Sequence, residues 1–354
     1  MKKIILIVQI ALIFIGSIVG AGVCSGRELN QFFSSYGVVG LIGLILCGGL
    51  YIVFGSLIVV ITDRFKVGSY DEFVDLVCPK PVAKFTNLVL TLFLFSSTSI
   101  ILAGSGSIIS QYFCLPRWIG SLIMLILSSI FLLRKTEGLF EVNSIVVPLL
   151  IIVMSSIFIK YIGERPDSVV WGNLRLLPTQ KTNLLSSTCI YVSFNILTII
   201  GVIVPLTNEL KKKKEIVWGI VVGSILLTII GIMIAFLMLV NPIHPQLYEV
   251  PMLGVAMEMN KLLQIGMLGI MWLEMFSSQV SNVYSLSYFL SNKYKVPYNR
   301  GIFLTILIAS PFSLIGFSNL IEILYPMYGV LSLVFLFYGA SFFIKNRDEI
   351  LKRV

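Results

Sequence analysis

The sequence predicts an all-α polytopic membrane protein, as its composition and its long apolar runs indicate. Of its 354 residues, 57% are hydrophobic and only 12% are charged, whereas soluble domains carry about 25% charged residues. Apolar runs recur along the whole chain, and runs of about 20 residues are long enough to cross a hydrocarbon core of ~30 Å as helices. The alternating segments of about ten residues that are typical of membrane barrels do not occur in the sequence. We therefore expect a bundle of ten membrane-spanning helices.

The charges between the apolar runs support this count and give an orientation. The predicted spans cover residues 4–35, 38–62, 85–113, 117–133, 141–160, 183–208, 216–240, 262–291, 301–317 and 320–344. An even number of spans places both termini on the same side of the membrane. If that side is the cytoplasm, 19 of the 26 lysines and arginines lie in inner segments, as the positive-inside rule requires. The net charge of +9 is therefore interpreted as a topology signal rather than as a nucleic-acid surface.

The first span is predicted to be interrupted. Four glycines and two serines occur among the eleven residues from Gly16 to Gly26, and this composition disfavours a helix. Unwound backbone inside a bilayer is tolerated only where it is buried in protein or lines a cavity. Residues 4–35 would extend over ~48 Å as a helix, which suits two offset half-helices around Gly20–Gly22. The alternative is an ordinary span that ends at Gly26 and continues as a loop.

The sixth span is also predicted to be interrupted. It contains Tyr191-Val192-Ser193-Phe194-Asn195 near its middle, followed by Gly201 and Pro205. Interruptions at corresponding positions of two halves indicate a transporter site between inverted repeats. We therefore expect one transmembrane domain, residues 1–354, with repeat one at about 1–161, repeat two at about 183–344 and a cytoplasmic tail at 345–354. The alternative is that the polar side chains of span six bond neighbouring helices.

Charged side chains inside the predicted spans are functional candidates. Arg27 and Glu28 follow the first break by about one turn, where charges face a wet cavity or each other. Glu274 lies inside span eight, and we consider it a gating or coupling candidate together with Arg27 and Glu28. A span that begins one turn later would instead leave Glu274 near the outer interface. His244, the single histidine, lies in a proline-flanked outer turn, where we expect a structural role.

The segment Gly16 to Glu28, followed by Gln31-Phe32-Phe33, resembles the opening signature of the YkvI family of bacterial membrane proteins. The resemblance covers essentially the whole chain, including Phe140 to Asn143 and Tyr191 to Asn195. That family resembles a branch of the amino acid–polyamine–organocation (APC) transporter superfamily. The resemblance implies the LeuT-type architecture, a five-plus-five inverted repeat with broken helices 1 and 6.

The resemblance also implies a set of site residues. The predicted substrate-binding residues are Gly20, Ala21, Gly22, Ser25, Ser193, Phe194 and Asn195. Backbone N–H groups of the first three would bind a carboxylate, since the start of a helix attracts anions. A sodium site would consist of Gly16, Val19, Ser277 and Ser278. The alternative for the glycines is close helix packing through small-xxx-small pairs. Proton-coupled members carry a lysine inside span five, but Lys160 lies at the end of that span, so the coupling ion stays open between Na⁺ and H⁺.

The resulting functional expectation is a secondary active transporter of a small amino-acid-like or related organic solute that works by alternating access. The alternative is a solute-sensing receptor subunit, similar to spore-germination receptors, without net transport. We do not expect an enzyme, because the sequence has no nucleophile motif, no metal cluster and no nucleotide loop. The five cysteines show neither CxxC nor metal spacing. The expected partners are a small-molecule solute and the bilayer of the bacterial plasma membrane, with both termini cytoplasmic, no nucleic acid and no cofactor besides a coupling ion.

Overall fold

The computed structural model describes residues 2–170, 179, 181–248, 250–311 and 317–348. The α-helices in these ranges are α1 (Lys2–Ile18), α2 (Ala21–Cys24), α3 (Arg27–Phe32), α4 (Val39–Phe65), α5 (Tyr70–Val77), α6 (Lys80–Phe113), α7 (Arg117–Leu132), α8 (Lys135–Glu164), α9 (Leu184–Leu210), α10 (Lys213–Val240), α11 (His244–Leu247), α12 (Pro251–Met259), α13 (Lys261–Tyr294), α14 (Tyr298–Ala309) and α15 (Phe317–Lys345). Short 3₁₀ turns occur at Ser34–Tyr36 and Pro166–Val169. Residues 171–178 of the predicted outer loop and 349–354 of the predicted tail lie outside the described residues.

The helices account for the ten predicted spans. Six of them, α4, α6, α8, α9, α10 and α15, are long and apolar enough to cross a membrane. The apolar helices α1, α7 and α14 are shorter, and α13 is 34 residues long with a more polar sequence. Apolar side chains on the outer face of α4, such as Val39, Ile42 and Ile45, are more than half exposed, as expected of a surface that faces lipid. The fold is therefore an all-α polytopic membrane bundle.

Two of the connections between spans contain short helices, and these connections occupy corresponding positions in the two halves of the chain. Helix α5 lies between the second and third spans, and helices α11 and α12 lie between the seventh and eighth. With alternating spans, these connections lie on opposite sides of the membrane. This correspondence is what an inverted pair of five-span repeats produces, and the repeat boundaries near 161 and 183 remain a prediction.

The predicted break in the first span is present. Helix α1 ends at Ile18 and α2 begins at Ala21, so Val19 and Gly20 lie outside both helices. Gly26 then separates α2 from α3 with φ of 82°, a backbone conformation that favours glycine. A methyl group on Gly26 would also lie 2.7 Å from Met238 Sδ and 3.1 Å from Met252 Cγ. Both the backbone conformation and the tight packing therefore require glycine at this position.

The predicted break in span six is wrong, because α9 is a continuous helix from Leu184 to Leu210. Its polar side chains bond the helix's own backbone one turn earlier: Ser193 Oγ donates to Ile190 O at 2.8 Å, and Asn195 Nδ2 donates to Tyr191 O at 2.9 Å. Such bonds are compatible with an intact helix. Gly201 has a packing role, since a methyl group there would lie 2.6 Å from Ser285 Oγ of α13. Pro205 lies inside the helix without ending it.

The innermost helices are α1 and α9. Every residue from Ile10 to Val19 except Gly16 belongs to the buried side chains of the core, and Gly16 is buried too. Helix α1 packs against α8, α9, α10 and α13. Helix α9 is buried almost continuously from Ser187 to Thr207. The broken span therefore lies at the centre of the bundle, surrounded by other helices rather than by lipid.

Candidate functional site

A cavity lies beside the break in the first span, where five helices meet. It is lined by α1 and the break (Ser17, Ile18, Gly20), α3 (Glu28), α6 (Phe93, Ser97, Ile101), α9 (Phe194, Asn195, Thr198) and α13 (Ser278, Asn282). Its volume, measured as the space open to the centre of a water-sized sphere, is about 30 Å³. Apart from Gly20, each lining residue is at most 8% exposed. The cavity is therefore largely shielded from bulk solvent.

Glu28 is the one ionisable side chain among these twelve lining residues. It is 3% exposed, and a methyl group on Gly22 would overlap its carboxyl group. Within the described part of the chain, this carboxyl group has no ion pair and no hydrogen bond. Gly22 is therefore needed to let the carboxyl group of Glu28 lie against the broken segment.

Aromatic rings form one wall of the cavity. The Phe194 ring lies 6.2 Å from the Phe93 ring, 6.1 Å from Phe32 and 5.4 Å from Tyr191, measured between centroids. The Phe93 ring also lies 5.1 Å from Tyr328 of α15 in a T-shaped arrangement. These contacts join α3, α6, α9 and α15, so they hold the wall in a fixed geometry.

A polar pair that the sequence did not predict also lies at the cavity. Asn282 Nδ2 donates a hydrogen bond to Ser97 Oγ at 2.8 Å, which links α13 to α6 at the cavity. The available signal was the run of hydroxyl residues 96–99 in span three, which is unusual for an apolar helix. Amide and hydroxyl groups placed in this way can fix the orientation of a bound solute.

The predicted substrate-binding residues divide into two groups. Gly20, Phe194 and Asn195 line the cavity, and Gly22 lies against Glu28. Ala21 is the first residue of α2, so its backbone N–H lies at the break.

Ser25 and Ser193 are not among the cavity-lining residues. Ser25 Oγ donates to Gly22 O at 2.9 Å and accepts from the Arg27 backbone N–H at 3.3 Å. Ser193 Oγ donates to Gly329 O of α15 at 2.6 Å as well as to its own helix. These bonds hold the broken segment and join two helices, which are structural roles.

The four predicted sodium ligands form two contacting pairs between α13 and the end of the first half-helix. Ser277 Oγ lies 3.4 Å from Gly16 O, and Ser278 Oγ lies 3.0 Å from Val19 O. A fifth oxygen comes from Asn143 of α8, whose Oδ1 accepts a hydrogen bond from Ser277 Oγ at 2.8 Å. We refer to these five oxygen atoms as the oxygen cluster. Carbonyl, hydroxyl and amide oxygens are ligands that hard cations prefer, so the donor set fits such an ion.

Asn143 also explains Gly16. A methyl group on Gly16 would overlap Asn143 Oδ1 and would lie 2.7 Å from Ser277 Oγ. The Asn143 amide is held from its other end, because Nδ2 donates to Leu139 O at 2.8 Å. In the sequence, Asn143 was noted only as part of the segment that resembles the YkvI family. Its place beside Gly16 could not be predicted, because it depends on how three helices pack.

Glu274 lies deep in the protein, so the expectation that it could lie near the outer interface is wrong. Helix α13 begins at Lys261, more than three turns before Glu274, and the side chain is 0% exposed. Within the described residues, neither of its carboxyl oxygens has a hydrogen-bond partner. An unpaired buried carboxyl group of this kind marks a functional candidate.

The side of the cavity towards α11 and α12 is covered by a layer of contacts, which we call the outer layer after the predicted orientation of the chain. Arg27 Nη2 donates to Tyr248 O at 3.0 Å, and the Met252 backbone N–H donates to Ser25 O at 3.0 Å. Arg27 therefore lies outside the cavity, against the connection between the seventh and eighth spans.

A carboxylate at the edge of this layer joins two further segments. Glu258 contacts Arg165 at 2.7 Å and His244 Nε2 at 2.8 Å. Hydrogen bonds to Tyr161 and Glu258 raise the pKa of the Arg165 guanidinium, which keeps this contact charged. The outer connections are therefore tied both to the broken first span and to the end of α8.

An inner layer closes the opposite side. Tyr284 OH of α13 lies 3.1 Å from Thr136 Oγ1 of α8, and Thr136 donates a short hydrogen bond to Glu209 at the end of α9. Tyr288 OH donates to Glu209 Oε2 at 3.1 Å. The inner layer therefore joins three spans through hydrogen bonds and through the tilted ring contact of Tyr284 with Tyr288.

Comparison with sequences identifies full-length relatives. No protein-family model matches the chain. The chain is 31% identical over 333 residues to the uncharacterised membrane protein YkvI of Bacillus subtilis (strain 168), and this match covers 93% of each chain. It is also 24% identical over 325 residues to the uncharacterised protein YyaD of the same organism, covering 92% of this chain and 93% of YyaD.

Comparison with solved structures identifies the fold. MhsT in complex with L-phenylalanine matches with a TM-score of 0.67 and 15% identity, covering 95% of this chain and 87% of MhsT. A Na⁺-coupled sialic acid symporter in a substrate-bound outward-open state matches with a TM-score of 0.66 and 16% identity, covering 94% and 76%. Mhp1, a nucleobase-cation-symport-1 family transporter with bromovinylhydantoin bound, matches with a TM-score of 0.65 and 13% identity, covering 96% and 78%. The fold is therefore of the LeuT type.

Proposed function

The chain belongs to the YkvI family of membrane proteins, and on this basis we propose that it is a secondary active transporter of a small organic solute, such as an amino-acid-like compound. The observation that carries the proposal is the buried cavity beside the break in the first span, lined by five helices. An outer and an inner layer separate this cavity from the two sides of the membrane. Alternating access requires such a site between two closures that open in turn.

The break supplies backbone groups that a continuous helix would use internally. We propose that Gly20, Ala21 and Gly22 contact the solute through their main chain, with Phe194 and Asn195 on the facing helix. The first N–H groups of a helix have no partner inside that helix. The structures of two fold neighbours hold L-phenylalanine and bromovinylhydantoin, and we propose a small organic solute for this chain as well.

The oxygen cluster supports sodium as the coupling ion. Gly16, Val19, Ser277 and Ser278 would bind Na⁺, as the family resemblance implies, and Asn143 would add an amide oxygen. When bound, the ion would link α1, α8 and α13 and so favour one arrangement of the broken span. The alternative is proton coupling through a buried carboxyl group, for which Glu274 and Glu28 are the candidates.

The remaining parts of the proposal concern location and chemistry. We propose that the protein lies in the bacterial plasma membrane with both termini in the cytoplasm, as the lysine and arginine distribution favours. We expect no catalytic activity, since a transporter needs no bond-making groups. Within the described residues, no group of three or more histidine, cysteine or acidic side chains could hold a metal ion.

The experiment that tests the function is solute uptake into proteoliposomes that contain the purified full chain. We expect uptake of at least one amino acid or organic amine, and we expect Gly22→Leu to reduce it at least about tenfold, because the new side chain would occupy the place of the Glu28 carboxyl group. The control is Gly49→Leu, since no atom lies within 4 Å of a methyl group placed at Gly49. Unchanged uptake by Gly22→Leu would contradict the site. Solute binding without any flux would instead favour the receptor.

A further inference from the structure

We propose that the cavity selects a solute with a positively charged ammonium group and that Glu28 binds this group. The inference rests on the proposed function, because it names the chemical class of the solute for the same cavity. It is compatible with sodium coupling and with proton coupling through Glu274.

The first argument is charge. Of the twelve residues that line the cavity, Glu28 alone is ionisable, and none is basic. No ion pair or hydrogen bond to its carboxyl group exists within the described residues. A buried carboxylate without a partner is strongly unfavourable, whereas a paired and hydrogen-bonded one is tolerated. A cationic solute would supply the missing partner.

The second argument is the aromatic wall. Phe93 and Phe194 line the same cavity as Glu28, and Tyr191 and Phe32 pack directly behind Phe194. Faces of aromatic rings attract ammonium groups, and the attraction increases when water is excluded. A carboxylate and aromatic rings around one closed space are a combination that favours an organic cation.

The third argument concerns the end of the solute that carries no ammonium group. The Glu28 carboxyl group lies against Gly22, so it approaches the broken segment so closely that no side chain fits there. A solute carboxylate bound to the backbone of the same segment would lie beside a second negative group. Like charges in a poorly solvated site repel strongly. An amine without a carboxylate should therefore bind more tightly than the zwitterionic amino acid of the same size.

The test uses three probes that share one carbon chain: 1-butylammonium, L-norvaline, which adds a carboxylate to it, and valerate, which replaces the ammonium group by that carboxylate. Binding to the detergent-purified full chain is measured by isothermal titration calorimetry. We expect butylammonium to bind at least about tenfold more tightly than norvaline, a difference of about 1.4 kcal/mol, and we expect no binding of valerate.

Two variants and one control assign the effect to Glu28. We expect Glu28→Gln to weaken butylammonium binding at least about tenfold and Glu28→Asp to retain part of it, because the charge is kept. The control is Glu137→Gln, which removes a carboxylate that is 80% exposed and should leave binding unchanged. The melting temperature of each variant shows whether it is folded. If Glu28→Gln does not fold, the relative affinities of the three probes for the wild-type protein test the proposal instead.

Three results would overturn the inference. The first is that norvaline or valerate binds more tightly than butylammonium. The second is that the folded Glu28→Gln variant binds butylammonium as tightly as the wild-type protein does. The third is that the wild-type protein does not bind butylammonium even at about 10 mM, a concentration above the dissociation constants of weak specific complexes. The proposed function is judged separately by uptake. Uptake of norvaline into wild-type proteoliposomes without butylammonium binding would keep the transporter and remove the ammonium selectivity.

Discussion

Asn143 shows at the scale of single residues what the sequence could and could not predict. The family resemblance implied that Gly16 and Val19 lie near Ser277 and Ser278, and in the structure Ser277 Oγ lies 3.4 Å from Gly16 O and Ser278 Oγ lies 3.0 Å from Val19 O. Asn143 joins them through Ser277 but was not predicted, because an asparagine in a span can bond any neighbouring helix. Ser25 and Ser193 were predicted to bind solute, yet their hydroxyl groups bond backbone carbonyls. A side chain's neighbours, unlike its type, are set by packing.

A first prediction concerns sodium binding by the oxygen cluster. Sodium at about 100 times its Kd would stabilise the wild-type protein by about 2.7 kcal/mol. We expect Ser278→Ala or Asn143→Ala to lose most of this stabilisation, because each removes one oxygen ligand. The measurement is the melting temperature in sodium chloride and in potassium chloride of equal concentration.

The matched control for sodium binding is Ser156→Ala. Ser156 is an exposed serine of α8 that bonds only its own helix, donating to Ile152 O. The Ser156→Ala variant should therefore be stabilised by sodium as much as the wild-type protein. Equal sodium stabilisation in Ser278→Ala and the wild-type protein would rule out the oxygen cluster as the ion site.

At the scale of helices, the two predicted breaks had different outcomes for a physical reason. The first was recognisable because four glycines lower helix propensity whatever their surroundings. The second depended on polar residues and a proline, whose effect varies with context. Ser193 and Asn195 bond the preceding turn of α9, and Pro205 is accommodated within the helix. Composition therefore predicts a helix break reliably only where glycines lower the helix propensity of the segment.

A second prediction concerns the hinge at Gly26. We expect Gly26→Ala to destabilise the protein by about 1–3 kcal/mol, because φ is positive and the methyl group would press on Met238 and Met252. The control Gly49→Ala lies inside α4 with free space around it and should be neutral or stabilising by up to about 1 kcal/mol. Melting temperatures of both variants check this. A Gly26→Ala variant as stable as Gly49→Ala would show that the left-handed turn is not required.

A third prediction follows from the continuity of α9. Alanine restores the backbone donor that proline lacks in a helix interior. We therefore expect Pro205→Ala to keep uptake within about twofold and to keep or raise the melting temperature. If transport required α9 to open at Pro205, uptake by this variant would instead be abolished while the protein stayed folded.

At the scale of the whole molecule, the cavity is closed by two layers of different character. The inner layer includes a buried hydrogen bond between Tyr284 and Thr136. The outer layer includes the contact of Arg165 with Glu258, whose side chains are 44% and 38% exposed. Buried hydrogen bonds contribute about 0.5–1.5 kcal/mol, whereas exposed ion pairs contribute about 0–1 kcal/mol. The ten-span order was predictable from hydropathy and charge, but these layers depend on contacts between distant segments.

A fourth prediction tests the two layers by chemical labelling. In a cysteine-free background, Thr198→Cys places a thiol in the cavity, which a membrane-impermeant maleimide can reach only after a layer opens. We expect Tyr284→Phe to increase labelling from the inner side by about threefold to tenfold. Glu258→Gln should increase labelling from the outer side by less than about fivefold. Increased labelling from the opposite side in either variant would contradict the assignment of the layers.

The broken first span and the continuous sixth span make the two five-helix halves mechanically unequal. A span with a glycine hinge can bend one half while the other half stays still, but a continuous α9 can move only as a rod together with its neighbours. Outward and inward opening should therefore cross energy barriers of different height. Influx and efflux of the same solute would then differ in maximal rate at equal concentrations, even in the absence of any ion gradient, provided that loaded and empty carriers return at different speeds.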